Sequence, residues 1–258
     1  MVIDESNPAG RLHRILSEVA TKNGDGICVR DVWAPVFGCS PKDEASVLRG
    51  LVEVYGLCEE VKNLIKLNPD LNHDLYLASF PKIEKAILPV NLGQQWKALR
   101  SNLDGEVLAR LQFCAEALQG FYSEEAISEE DVSQIHEMVS ALSDAITDSS
   151  ISPELKLALL EELDRIQKAI VLIKIKGAKG LKEALQSLVG SVVANHQSLK
   201  QLETDEPDIL ERLGGLLDKL DAFTARALKL KRMLTGPVSY VLDKITGPDG
   251  EEEPVEDD

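Results

Sequence analysis

Apolar residues along this chain recur three and four positions apart almost without a break, and no stretch alternates as a half-buried strand would. That one property restricts the fold to packed helices. The first stripe is Leu12, Ile15, Leu16 and Val19, closed by the turn-forming run Asn23-Gly24-Asp25-Gly26. Val29, Val32, Trp33 and Val36 predict a second helix, stopped by Gly38. Ser40-Pro41 predicts the start of a third, with Ser40 as cap and Pro41 at the first helical position. Its face runs Val47, Leu48, Leu51, Val52, Tyr55, Cys58, Val61, Leu64 and Ile65. Gly56 sits inside that helix, at a cost of about 1 kcal/mol relative to Ala.

Asn68-Pro69-Asp70 breaks the pattern, with Asp70 read as the cap of a short helix from Leu71 to Phe80. Pro81 opens another, through Leu88. A short segment carries Trp96, Leu99 and Leu103, and Asp104 caps a helix bearing Val107, Leu108, Leu111, Cys114 and Leu118. Ser128-Glu129-Glu130-Asp131 has the form of a capping box, with acids at the positive end of a helix. Val132, Ile135, Val139, Leu142 and Ile146 are its buried stripe. A long helix follows, from Leu155 to Ile173. Gly177 and Gly180 mark an interruption or a close approach, and Leu181 to Val192 continues the pattern. Pro207 opens a further helix reaching Leu230. The expected fold is all-α, a multi-helix bundle of about nine to eleven helices in two packed regions.

Charge is sorted along the chain. Residues 1–150 hold 13 Lys+Arg against 24 Asp+Glu, whereas residues 151–246 hold 15 against 13. The last twelve residues carry seven acids and no base. The polar run Thr147 to Pro153 coincides with the change and is the expected boundary. The expected organisation is therefore an acidic helical region at 1–150, a helical region with basic stretches at 151–246, and a disordered acidic tail at 247–258.

The net charge of −16 argues against nucleic acid as a partner, because phosphate repulsion would dominate. No apolar run approaches the ~18 residues that span a bilayer. Met1 to Gly10 is polar and reads as no export signal, so a cytoplasmic location and reduced thiols at Cys28, Cys39, Cys58 and Cys114 are expected. The cysteines form no C-x-x-C pair, which removes the usual zinc spacing.

Catalytic motifs are missing. No histidine follows a Glu by three, as a helical di-iron site requires. Walker and G-x-S-x-G patterns are absent. His13, His73-Asp74 and Asp131 can be written in the order of an HD-type metallohydrolase, an alternative ranked last because such short patterns arise by chance. No catalytic residue, cofactor or metal is assigned.

Basic stretches offer candidate contacts. Six bases and no acid lie between Arg165 and Lys182, among them Lys174, Lys176, Lys179 and Lys182. The simplest account is a solvated helix face packed near the acidic first half. A second set, Arg226, Lys229, Lys231 and Arg232, interleaves with Leu228, Leu230, Met233 and Leu234. A basic amphipathic helix over residues 222–245 could lie on an anionic membrane, with the acidic tail folding back as a cover.

Two segments carry a resemblance. Leu163-Asp164-x-Ile166-x-x-Ala169-Ile170 with Ile175-x-Gly177-Ala178-x-Gly180-Leu181-x-x-Ala184-Leu185, and Asp31-Val32-Trp33-Ala34-Pro35-Val36-Phe37-Gly38, resemble stretches of uncharacterised bacterial all-helical proteins. The resemblance implies a bacterial intracellular helical protein with no assigned activity, of a kind that includes accessory components of conflict or defence systems. The expected function is non-enzymatic: a regulator, adaptor or inhibitory partner whose acidic face meets another protein, a basic one, with a homodimer as a further arrangement.

Overall fold

A computed structural model describes residues 7–24, 26–88, 91–124 and 128–230. The helices are α1 (Pro8–Thr21), α2 (Val29–Val36), α3 (Glu44–Leu67), α4 (His73–Leu77), α5 (Phe80–Ile87), α6 (Trp96–Arg100) and α7 (Gly105–Gln119), then α8 (Glu129–Asp148), α9 (Pro153–Val171), α10 (Ile173–Lys176), α11 (Ala178–Ala194), α12 (His196–Asp205) and α13 (Pro207–Ala227). The expected all-α fold is what the chain adopts. Three segments, α4, α6 and α10, are single turns and account for the excess over nine to eleven.

Local chemistry sets the helix ends. Asn7 Oδ1 accepts from Gly10 N, and Pro8 follows at the first turn. The third helix starts at Glu44 rather than at Pro41, because Asp43 Oδ1 takes the N–H of Ser46 at 3.1 Å. Asn72, not Asp70, caps α4 through Leu75 N at 3.2 Å. Asp104 and Ser128 cap α7 and α8 as expected. Gly38 ends the α2 turn with φ +64°.

Two apolar cores form. In the first, α1 packs on α7 and α3, and α3 also packs on α2 and α5. Trp33 and Trp96 meet there edge to face at 6.1 Å, and Trp96 Nε1 donates to Val19 O at 3.1 Å. In the second, α8, α9, α11 and α13 close a four-helix ring, each packed on the next. The change of core falls between Leu118 and Ile135, so α8 packs with the later helices. Thr147 to Pro153, the expected boundary, is the turn between α8 and α9, where Ser152 caps α9. The charge change marks surfaces, whereas the apolar stripe Ile135, Val139, Leu142 and Ile146 decides which core α8 joins.

Two features had no counterpart in the expected helices. Helix α12 is one. The other is an antiparallel ribbon of β1 (Tyr122–Glu124) and β2 (Leu228–Leu230), paired Tyr122 with Leu230 and Glu124 with Leu228. The last helix therefore ends at Ala227, and Leu230 belongs to a strand. Three residues are too few for alternation to be read.

Candidate functional site

The second half of the chain is tied to the first where α10 lies on α1 and α3. Ile175 of α10 belongs to the first core, although its neighbours α9 and α11 build the second. Arg11 Nε donates to Ile175 O at 3.1 Å, and Arg14 Nη2 donates to Lys174 O at 2.9 Å. Beside them lies an ion pair with almost no exposure: Arg11 Nη1 to Glu124 Oε2 at 3.0 Å, with side chains 6% and 2% exposed. The same carboxylate accepts from Ala178 N at 3.2 Å and from Tyr122 Oη at 3.0 Å. Burial and the Glu124 charge push the Tyr122 phenol up. Gly177 makes this approach sterically feasible: it has φ +62°, and a Cβ there would overlap Glu124 and Arg11.

The lysines of the basic run divide into two kinds. Lys176 pairs with Glu183 at 3.2 Å and Glu53 at 3.6 Å. Burial opposes its charge, but the two glutamates more than offset this and hold its pKa above the ordinary value. Lys179 pairs with Glu60 at 2.9 Å. Both therefore serve the contact between the acidic first half and the basic run. The side chains of Lys174 and Lys182 are exposed. Arg226 is at the end of α13 and Lys229 sits opposite Ser123 in the ribbon. Lys231, Arg232, the remainder of the 222–245 segment and the 247–258 tail lie outside the described residues. A single amphipathic helix over 222–245 is interrupted in any case by the strand at Leu228–Leu230.

The HD-type arrangement does not assemble. His13 is buried on α1 beside Ser17, and burial lowers its pKa. His73 Nε2 donates to Asn68 O at 3.0 Å. Asp131 on α8 takes Lys219 Nζ of α13 at 2.6 Å. Among the described residues, no group of three His, Cys, Asp or Glu side chains could hold a metal ion, and no helix is long and apolar enough to cross a membrane.

Two surface features remain. A shallow groove along α3 is lined by Gly56, Glu59, Glu60, Asn63, Leu64 and Leu67, with Tyr122 and Lys179 at its side. The other is the outer face of α8. Glu130, Glu137 and Asp144 follow one another at two-turn intervals on its exposed side, with Asp148 one turn beyond. No base occurs between Arg110 and Lys156. Sequence reading assigned neither surface; the α8 stripe was open to a search for exposed acids opposite the buried positions.

The chain matches no protein-family model, and no curated protein or solved structure matches it either. The resemblance to uncharacterised bacterial helical proteins therefore reduces, on these comparisons, to an all-helical character.

Proposed function

We propose that this chain is a non-enzymatic interaction protein, a regulator, adaptor or inhibitory partner, and that the outer face of α8 receives a basic protein. The observation that carries this reading is the acid stripe Glu130, Glu137, Asp144 and Asp148 on a helix with no base of its own. Lys176 and Lys179 of the basic run are engaged with Glu53 and Glu60 of the first half. An exposed single-sign face of this kind raises association rate and selects partners of opposite charge. A role in a bacterial conflict or defence system fits the resemblance and is part of the same proposal.

The test compares affinity capture by the unaltered chain and by the triple variant Glu130→Gln, Glu137→Gln, Asp144→Asn. Both are run at low and moderate salt, with metal analysis of the purified protein. The expected result is a stoichiometric basic protein released as salt rises and lost from the variant, whose circular dichroism is unchanged. Equal capture by the variant would sink the reading. Near-stoichiometric bound metal without a partner would overturn it in favour of an enzyme.

A further inference from the structure

Helix α11 buries Leu181, Ala184, Leu185 and Leu188 in the second core. Its opposite side carries Gln186, Val189, Gly190, Val193 and Ala194, all exposed, with Val189 at 46% and Val193 at 68%. These residues fall within Ala184 to Leu199, which holds no Asp, Glu, Lys or Arg and is the longest such run in the chain. The water-facing side of an amphipathic helix is ordinarily polar and charged, and this one is neither. Valine and glycine are also poor helix formers, out of place where propensity alone decides. A Cβ at Gly190 would meet nothing within 4 Å, so packing inside the chain does not require a glycine there.

Charge decides what can cover this face. A basic protein or an anionic lipid surface is recognised through ionic contacts, and the face has none to offer. Two copies of the chain, each at −16, repel where their charged faces meet and come together at least cost through an uncharged one. The face is also its own complement. Take two antiparallel α11 helices related by a two-fold axis midway between positions 190 and 193. Val193 then falls over Gly190 of the second copy, and Val189 falls over Ala194 of the second copy. Each branched side chain meets a small residue, and the symmetry repeats both contacts.

We infer that the C-terminal half of α11 joins two copies of this chain through Val189, Gly190, Val193 and Ala194. From Gln186 to Ala194 the helix rises about 12 Å, so the contact belongs to the small, reversible class of interface. Helix α11 stands across the four-helix ring from α8, which leaves the outer face of α8 free. Salt acts on the two surfaces in opposite directions. Screening weakens capture of a basic protein and strengthens the union of two acidic chains.

The test is sedimentation velocity of the full chain over a wide range of concentration, at low and at high salt. The mass is expected to move from one chain toward two as concentration rises, and to do so earlier in high salt. Val193→Glu, at an exposed position, sets a carboxylate from each copy in the contact and should raise the dissociation constant at least about 10-fold. Gly190→Leu should keep the helix by circular dichroism yet fill the gap that Val193 enters, and so weaken association as well. Leu75→Glu, on α4 and 56% exposed, should leave association unchanged. A chain that stays single at every concentration in high salt overturns the inference, and the face then awaits a different uncharged protein. A dimer that persists equally in Val193→Glu overturns it too, because the copies then meet elsewhere.

Discussion

Replacing Glu124 by Ala is the sharpest test of how the two cores are joined. The carboxylate side chain is 2% exposed and pairs with Arg11, 6% exposed, at 3.0 Å. Its loss leaves the guanidinium buried with Ile175 O as its remaining acceptor among the described residues, and also orphans Ala178 N and Tyr122 Oη. Breaking one side of a buried pair costs about 3–5 kcal/mol. Against a total stability of roughly 5–15 kcal/mol, that is a large share. The double variant Arg11→Met, Glu124→Leu removes the stranded charge. It should recover the share owed to that charge and leave the cost of Ala178 N and Tyr122 Oη, about 1–3 kcal/mol for each unmet donor. Trp33 and Trp96 both lie in the first core, so tryptophan fluorescence reports that core while circular dichroism reports every helix. In urea, the two signals should fall together for the unaltered chain and separate for Glu124→Ala, as the cores lose their tie. A loss under about 1 kcal/mol with coincident curves would refute the argument, because a buried unpaired guanidinium cannot be that cheap.

Two alanine substitutions on α3 should act in opposite directions. A Cβ at Gly50 would overlap the Phe37 ring, which stacks on Trp33 at 5.7 Å, so Gly50→Ala should cost about 1–3 kcal/mol. Gly56→Ala meets open space and should stabilise by up to about 1 kcal/mol; a urea midpoint that rises for Gly50→Ala contradicts the first argument, and one that falls for Gly56→Ala contradicts the second. Burial lowers the His13 pKa below its ordinary value of 6.5, so an unfolded chain binds that proton more tightly. The His13 contribution is therefore whole above pH 6.5 and lost as pH falls below it, and His13→Gln should flatten the stability curve there. Identical acid slopes for the two chains would show that His13 does not govern that region.

Helices were legible in the sequence because a 3.6-residue stripe is a local signal. Val29 to Gly38 and Ser128 to Ile146 needed nothing beyond neighbouring residues. Choice of cap was less legible: Ser40 and Asp43 both suit the role, and Asp43 takes it through Ser46 N. Similarly Asn72 took the place expected of Asp70. Helix α12 escaped because its buried residues, Leu199 and Leu202, make too short a stripe. The junction was invisible for a different reason. Arg11, Glu124 and Ile175 are brought together by tertiary packing across long separations, and no spacing rule links an arginine on one helix to a carbonyl 164 positions away. The charge pattern did anticipate one contact, since opposite-signed halves attract and Lys176 and Lys179 meet Glu53 and Glu60. The acid face of α8 was legible as the side opposite Ile135, Val139, Leu142 and Ile146, whereas the core that this stripe joins was not.

The place of Ile175 has a consequence for how the chain comes into being. Its side chain completes the first core, and its carbonyl anchors Arg11, yet it follows Glu124 by a whole pair of helices. On a ribosome, α1 to α7 emerge roughly 50 residues ahead of that plug, a wait of about 3–10 s at ordinary synthesis rates. For that interval Arg11 has Glu124 within reach but lacks the Ile175 carbonyl, and the apolar surface that receives Ile175 is uncovered. The early helices are thus a holding state, and the nascent chain locks only when its later half arrives.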